Sequence, residues 1–265
     1  MWDEIRLTSP DEEPLWELFH ENSKLGRFSG GPSEEETLEW MNALWESLPY
    51  SGYPAVDLPR EHAPFRLSLQ EAIVSRATAR ELSRRGLTMQ ELTTLLFAGY
   101  GVTRDERDNG FPRRFRTVPS GGALYPLEIY FHTTCVDGLK PGLYHYNPAE
   151  NRVRLLRERD HTAEIASAMA YGEIPAQASL MIFLTAAFER STHKYAERGY
   201  RFVLLEAGHV AQNINLAAAG LDLASINVGG FYDREIDSFL DLDGLAQSTL
   251  YLIGVGKGLE AAQRG

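Results

Sequence analysis

Alternation of apolar and polar residues predicts several strands in the second half of the chain. LYHYN and RVRLL alternate with a period of two and are separated by the turn-forming residues 148–151. Two such segments joined by a short turn are typical of a β-hairpin. The same criteria predict strands over residues 127–133, 142–146, 152–156, 180–188, 223–228 and 249–254.

Helices are predicted where a capping residue is followed three positions later by glutamate. Ser33, Ser68 and Thr88 each begin such a capping box, and the Ser9–Pro10 pair predicts a helix start further upstream. Residues 201–220 are apolar on most helical faces and end in a glycine. A helix of this kind is buried, either in a core or at a subunit interface.

A segment rich in proline and glycine, residues 51–65, predicts a loop between two parts of the chain. We therefore expect an N-terminal helical extension over residues 1–62 and a main domain over residues 63–265. The main domain combines the predicted strands with helices.

Composition narrows the function classes. The 265 residues are 43% hydrophobic and 24% charged, as in an ordinary globular protein. A formal net charge of −11 argues against broad nucleic-acid binding, which needs an excess of lysine and arginine. The single cysteine excludes an intrachain disulfide. The N-terminus lacks the apolar segment of a signal peptide and no apolar run could span a bilayer, so the expectation is a cytoplasmic protein.

The segment PSGGALYP, which begins at Pro119, is the strongest candidate binding loop. Gly121 and Gly122 carry no side chains, so their backbone N–H groups can approach a flat or charged ligand. Ser120 adds a hydroxyl group, and the strand that follows would hold the loop in place. The alternative is a simple turn that leads into a strand.

Two further motifs suit an anionic or flat ligand. Arg76, Thr78 and Arg80 would share one side of an extended segment, where they could bind a phosphate or a pyrimidine edge. In a helix the three side chains would splay into solvent. Gly229 and Gly230 follow a predicted strand and could offer backbone N–H groups, although a simple turn is the alternative.

Further candidate functional residues lie near the C-terminus and just before the long helix. The glycines around Lys257 superficially match a dinucleotide fingerprint, but too few residues follow for a βαβ unit, so we expect a single phosphate-binding cation. Lys194 and Tyr195 could act as base and proton relay, or they could be a surface lysine and a packed tyrosine. Three Glu-x-x-His pairs occur, a spacing that di-iron helix bundles use. The many predicted strands argue against such a bundle, so we predict no metal site. We expect His209, which forms the third pair with Glu206, to be buried.

Taken in order, these motifs resemble the nitroreductase superfamily. The resemblance runs from Ser68 to Lys257 and is most specific in PSGGALYP and KYAERGYRFVLLEAGHVAQN. Within the superfamily the chain looks like the SagB-type dehydrogenase branch, which includes the azoline oxidases of thiazole- and oxazole-forming peptide pathways. The HENSK run at residues 20–24 is similar to the N-terminal extension of that branch.

The resemblance implies an α+β fold, a mostly antiparallel sheet wrapped by helices, and a homodimer with FMN at its interface. Lys194 and Tyr195 would be catalytic. The resemblance also implies these cofactor contacts: Arg76, Thr78 and Lys257 at the phosphate, Arg80 at the pyrimidine edge, Pro119, Ser120, Gly121 and Gly122 along the ring, Gly229 and Gly230 near the reactive nitrogen, and Gln212, with Asn213, from the interface helix.

The implied activity is dehydrogenation of a thiazoline or oxazoline ring, with proton removal by Lys194, hydride transfer to FMN and reoxidation by oxygen. The substrate would be a small molecule or a peptide, and a cyclodehydratase is a candidate partner. Two alternatives stay open. One is an NAD(P)H-dependent nitroreductase or quinone reductase, and the other is a scaffold that has lost its cofactor.

Overall fold

The computed structural model describes residues 14–27, 30–109 and 111–258. Its helices are α1 (Leu15–Asn22), α2 (Glu34–Ala43), α3 (Leu69–Ser75), α4 (Met89–Tyr100), α5 (Thr162–Ser167), α6 (Ile174–Gln177), α7 (Glu189–Tyr195), α8 (Glu197–Gly220) and α9 (Asp233–Leu240). Its strands are β1 (Ala55–Asp57), β2 (Leu82–Ser83), β3 (Val102–Asp105), β4 (Arg114–Arg116), β5 (Leu127–Thr133), β6 (Gly142–Asn147), β7 (Arg152–Glu158), β8 (Leu180–Ala187), β9 (Ala224–Val228) and β10 (Gln247–Gly258).

One large sheet organises the chain. Its strand order is β1-β7-β6-β5-β8-β10-β2, and β9 pairs with β10. The paired strands of this sheet are antiparallel, while β3 and β4 form a separate ribbon. The predicted α+β class with a mostly antiparallel sheet is therefore confirmed.

Helices cover both faces of the central strands. Ile129 and Phe131 of β5 pack in one core with buried residues of α4 and α8. Tyr130, between them, points to a second core formed with α9 and its neighbours. β8 is buried on both faces and is a nearly continuous apolar run, whereas β5 buries Glu128 and His132 together with its apolar residues.

The capping boxes at Ser33, Ser68 and Thr88 are all present and begin α2, α3 and α4, as predicted. The start predicted at Ser9 lies outside the described residues. The predicted hairpin is the β6–β7 pair, and β5 has the predicted bounds. None of the described helices has the length and apolar character needed to cross a bilayer.

The long helix α8 ends at Gly220 as predicted, but it is not buried all round. Val203, Ala207 and Val210 face the core, whereas Leu204 and Leu205 are exposed. The prediction of a buried His209 is wrong, because this residue lies on the exposed face, one turn after Leu205. The sequence pattern did not reveal this exposed face, because Leu204 and Leu205 are as hydrophobic as the residues that face the core.

The N-terminal region contacts the main domain through β1 and α2. β1 lies inside the segment predicted as a loop and pairs with β7. The Arg113 guanidinium donates to the carbonyl groups of Met41 and Leu44 at the end of α2. The division of the chain after residue 62 stays a prediction, and these contacts cross it.

Candidate functional site

The Ser-Gly-Gly segment forms a tight loop before β5. The Tyr125 N–H donates to Ser120 Oγ at 2.9 Å, and the Arg116 N–H donates to Tyr125 Oη at 3.0 Å. Gly122 has a φ of 65°, and Ala123 and Tyr125 also have positive φ values. Three left-handed residues in four positions curl the loop on itself, and two of them carry side chains that disfavour that conformation.

Lys194 and Tyr195, the last two residues of α7, stand against this loop. A Cβ atom at Gly122 would lie 2.7 Å from Tyr195 Oη and 3.3 Å from Lys194 Nζ, so only glycine leaves room here. Phe202 on α8 packs edge-on to Tyr195, with ring centroids 4.9 Å apart, and borders Gly121. The fold thus brings together the predicted loop and the predicted catalytic pair, two motifs more than seventy residues apart.

A buried ion pair fixes α7 to the sheet. Arg190 on α7 donates to Glu128 on β5 at 2.6 Å, and His145 Nε2 lies 2.7 Å from the other carboxylate oxygen. Ser47 Oγ and the Leu48 N–H also donate to Glu128. Burial by itself would raise the pKa of Glu128, but Arg190 and His145 outweigh it and hold this pKa well below its usual value.

The residue after the predicted catalytic pair, between α7 and α8, has an unusual backbone conformation. Ala196 has φ 47° and ψ −138°, a conformation that L-residues rarely adopt. Trp40 of α2 stacks on His193 with ring centroids 4.4 Å apart. The helical extension therefore contacts the residue directly before Lys194.

Glu206 on α8 lies behind the Ser-Gly-Gly loop and is 2% exposed. Tyr100 Oη donates to it at 2.6 Å. Burial raises the pKa of Glu206 to about 7, although the nearby Ser120 hydroxyl, the hydrogen bond from Tyr100 and the charge of Arg116 partly offset that rise. Sequence reasoning considered Glu206 only as a metal ligand. Its burial could have been predicted from its position among Val203, Ala207 and Val210, on the side of the helix that faces the core.

A second group of predicted residues lies at the edge of the sheet formed by β9 and β10. The segment after α3 runs beside β9: Thr78 forms an isolated bridge with Ser225, and the Ala79 N–H donates to the Ser225 carbonyl at 2.9 Å. Ser225 pairs with Val255, two residues before Lys257. The side chains of Arg76, Arg80 and Lys257 have no hydrogen-bond or ion-pair partner within the described ranges. Unpaired cations gathered at one sheet end can bind an anion.

Gly229 and Gly230 lie at the opposite end of β9 from this cation group. Gly229 is exposed, and the Gly230 carbonyl accepts a hydrogen bond from Ala170 N–H at 2.9 Å. Gly229 lies four positions after Ser225, a distance of about 13 Å along an extended strand. Gln212 lies on the exposed face of α8, while the Asn213 amide donates to the Ala98 carbonyl of α4.

Within one chain the predicted residues thus form two groups along α8. Ser120, Lys194 and their neighbours lie beside Phe202 and Glu206, in the first half of the helix. The cation group lies beside Asn215, which accepts a hydrogen bond from Ser225 Oγ at 2.9 Å. From Glu206 to Asn215 the helix rises about 14 Å.

Comparison with known proteins identifies relatives over most of the chain. The model of the nitroreductase family matches residues 73–257. The protein MJ1384 of Methanocaldococcus jannaschii, which is named as a nitroreductase, is 39% identical over 194 residues, covering 73% of this chain and 93% of the relative.

Two more distant relatives are named for peptide processing. The trifolitoxin-processing protein TfxB of Rhizobium leguminosarum is 32% identical over 141 residues, and the microcin B17-processing protein McbC of Escherichia coli is 28% identical over 134 residues. These matches cover 51% and 48% of this chain but only 38% and 49% of the relatives.

Solved structures share the fold. A structure from Anabaena variabilis, named as a nitroreductase, superimposes with a TM-score of 0.73 and 22% identity over 97% of this chain and 49% of its own. A chain from the E. coli microcin synthetase McbBCD complex with truncated pro-MccB17 bound superimposes with a TM-score of 0.60 and 20% identity over 98% of this chain and 100% of its own. At these identities the likeness shows the fold alone.

Proposed function

Because the chain belongs to the nitroreductase family, we propose that it is an FMN-dependent oxidoreductase of the SagB-type branch that dehydrogenates thiazoline or oxazoline rings. The observation that carries the proposal is the approach of Lys194 and Tyr195 to Gly122. A potential base and a potential proton donor stand there against a loop whose backbone is open to a flat ligand.

The residues present fit FMN. Arg76, Arg80 and Lys257 supply unpaired positive charge for the phosphate at one end of β9, and Gly229 leaves backbone exposed at the other. The strand between them spans about 13 Å, a length that the ribityl chain and the ring of FMN would cover together. A flat ring beyond Gly229 would meet exposed backbone there, with Tyr251 and Tyr171 nearby.

A homodimer would unite the two groups of predicted residues. The exposed face of α8 carries Leu204, Leu205, Gly208 and Gln212, and no atom lies near the Cβ position of Gly208. A two-fold axis beside Gly208 would set the α8 helices antiparallel, so that Phe202 of each copy lies near Ile214 of the other. The Ser-Gly-Gly loop of one copy would then approach the cation group of the other.

The proposed chemistry divides between the cofactor and the chain. FMN, when bound, would accept a hydride from the ring, and oxygen would restore its oxidised form. Lys194 Nζ would take the proton from the adjacent ring carbon, which leaves an aromatic azole. Tyr195 Oη would orient the substrate and hand protons onward. The ion pair of Arg190 with Glu128 would hold α7 in place, so that the Lys194 and Tyr195 side chains stay beside Gly122.

The names of the relatives suggest the substrate class. TfxB and McbC are named as processing proteins for trifolitoxin and microcin B17, and the McbBCD structure holds a truncated pro-peptide. For this chain we therefore propose a peptide-borne ring as substrate and a cyclodehydratase, the enzyme class that forms such rings, as partner.

Visible absorption and turnover test this proposal. The purified protein should be yellow or become so with FMN, and it should convert a thiazoline peptide to the thiazole, with a mass loss of two hydrogen atoms. Lys194→Ala should keep the flavin spectrum and lose at least about a hundredfold in turnover, because the base is absent. Full turnover by Lys194→Ala would remove this residue from the mechanism.

The runner-up is an NAD(P)H-dependent nitroreductase or quinone reductase, which the name and coverage of MJ1384 favour. Adding NADPH without oxygen discriminates the two. Rapid bleaching of the flavin supports the reductase, whereas bleaching only by an azoline peptide supports the dehydrogenase.

A further inference from the structure

We propose that Trp40 is a positioning residue for the reaction: by stacking on His193 it fixes the last turn of α7, the turn that carries Lys194. This inference deepens the proposed function and rests on it, since Lys194 is the proposed base. It gives the N-terminal helical region a part in the reaction through a single aromatic contact.

Trp40 and His193 form a close and nearly parallel stack. Their ring centroids lie 4.4 Å apart, and their planes differ by 6°. Trp40 lies on α2 and His193 on α7, so the contact joins the N-terminal region to the helix of the proposed base. Stacked aromatic rings stabilise one packing geometry beyond the area that they bury.

Helix α7 needs such a contact because it is short and is anchored near its start. It has seven residues and no side-chain cap, and its buried ion pair is made by Arg190, one turn before Lys194. Ala196, just after the helix, has a positive φ and starts an irregular turn. A helix of this length has little stability of its own, so contacts from outside must hold its last turn.

His193 and Lys194 leave α7 in different directions, because successive residues of a helix are turned by about 100°. His193 meets Trp40, whereas Lys194 Nζ lies 3.3 Å from the Cβ position of Gly122. A Cβ atom at Gly31 would lie 3.8 Å from the Lys194 carbonyl oxygen, so the segment before α2 also passes over this turn. The last turn of α7 is therefore held between the N-terminal region and the Ser-Gly-Gly loop.

The position of Trp40 is itself fixed by the main domain. The Arg113 guanidinium donates to the carbonyl group of Met41, the next residue, which is 2% exposed. Ser47, shortly after α2, donates to Glu128, the carboxylate that also binds the arginine of α7. The two helices are thus joined both at Glu128 and at the aromatic stack, and the stack lies next to the proposed base.

Loss of the stack should slow proton removal without loss of the flavin. A base displaced by about 1 Å can cost on the order of a hundredfold in rate. Because the ion pair still holds the start of α7, we expect Trp40→Ala to lower kcat by about ten- to a hundredfold. The KM for an azoline peptide and the flavin content should stay close to those of the wild type. Trp40→Phe keeps an aromatic face and should recover most of the loss.

A double-mutant cycle on kcat tests the contact itself. His193→Ala should cost about as much as Trp40→Ala, and the double variant should cost no more than either, because each change removes the same stack. His193 is exposed, so His193→Ala also serves if Trp40→Ala fails to fold. The control is Trp45→Ala, at a tryptophan that lies just after α2 and is 66% exposed, and it should turn over like the wild type.

A second cycle shows whether the stack acts through Lys194. In a Lys194→Ala background, the residual turnover should not change when Trp40→Ala is added, because the base is already absent. A merely structural role of Trp40 would lower the residual turnover by the same factor as in the wild type.

Four results would overturn the inference. They are a Trp40→Ala variant that turns over like Trp45→Ala, a loss in His193→Ala that Trp40→Ala does not share, loss of flavin from folded Trp40→Ala, and an undiminished effect of Trp40→Ala in the Lys194→Ala background. If the wild type oxidises no azoline peptide, or if Lys194→Ala retains full turnover, the proposed function or its base fails together with this inference. If the wild type is active and depends on Lys194, any of the four results removes this inference alone.

Discussion

Two buried glutamates show how a single contact decides the state of a carboxyl group. Glu128 and Glu206 are each 2% exposed, so burial disfavours the charge on both. Arg190 contacts Glu128 directly and keeps it ionised, whereas Glu206 has hydroxyl neighbours and a pKa of about 7. The first residue anchors the site and the second can exchange a proton.

The raised pKa of Glu206 predicts a pH dependence of stability. Between its ordinary value of 4.5 and about 7, the native state holds a proton that the unfolded chain releases. Its contribution to the free energy of unfolding is therefore complete below pH 4.5 and is lost as the pH rises through 7, by about 3 kcal/mol at 1.36 kcal/mol per pKa unit.

Urea denaturation of the wild type and Glu206→Gln at a series of pH values measures this contribution. The difference between the two proteins should vary across that interval, and Glu158→Gln should follow the wild type. A difference that stays constant with pH would show that Glu206 titrates normally.

Backbone strain at Ala196, beside Lys194 and Tyr195, is a second prediction at this scale. Ala196 adopts a conformation that glycine accepts freely, so Ala196→Gly should raise the free energy of unfolding by about 1 kcal/mol. Ala219→Gly, in the last turn of α8, should lower it by less than about 1 kcal/mol. Chemical denaturation measures both, and destabilisation by Ala196→Gly would contradict the assignment of strain.

At the scale of elements, α7 is placed by its ion pair rather than by its own sequence. It has seven residues and no side-chain cap, so its packing and the Arg190–Glu128 contact determine its position. Because Glu128 also binds Ser47 and Leu48, the same carboxylate ties the N-terminal region to the helix that carries Lys194.

Breaking that pair should be costly. Glu128→Gln should lower the free energy of unfolding by about 3 kcal/mol, since it leaves the Arg190 charge buried without a counter-ion. The double variant with Arg190→Met should lose less than the sum of the single variants. Denaturation of the four proteins gives the coupling, and additive losses would contradict it. Breaking the exposed Lys140–Glu158 pair should cost less than about 1 kcal/mol.

Capping boxes and strand alternation were enough to predict the start of α4 and the bounds of β5. β1 was missed because its three residues lie between prolines and glycines and are held by pairing with β7. The exposed face of α8 was missed because hydrophobicity alone does not distinguish a residue that faces the core from one that awaits a partner.

At the scale of the whole molecule, the exposed face of α8 predicts self-association. Leu205 is 59% exposed, so Leu205→Glu should leave the folded monomer intact while placing a charge in the proposed interface. The variant should sediment as a monomer and lose FMN, since each site would need both copies. Leu245→Glu, at a residue 77% exposed and away from α8, is the control.

Analytical ultracentrifugation and flavin absorption measure this outcome together. A Leu205→Glu variant that remains dimeric and yellow would contradict the proposed interface. A variant that is monomeric but still yellow would retain the cofactor proposal and exclude a site shared between copies.

The amino-acid sequence by itself determined the local features of this protein: where helices begin and which segments alternate as strands. These local features depend on neighbours within a few positions along the chain, so they can be predicted without a structure. Family membership also follows from the sequence, because motif order is preserved along it.

Only the tertiary structure decided which motifs meet. Lys194 reaches Gly122 because β5 and β8 are adjacent in the sheet, and Glu206 lies behind Ser120 because α8 crosses that loop. The pKa of a buried carboxyl group depends on which charges lie within a few ångströms of it. That distance is set by the packing of remote segments and not by their order along the chain.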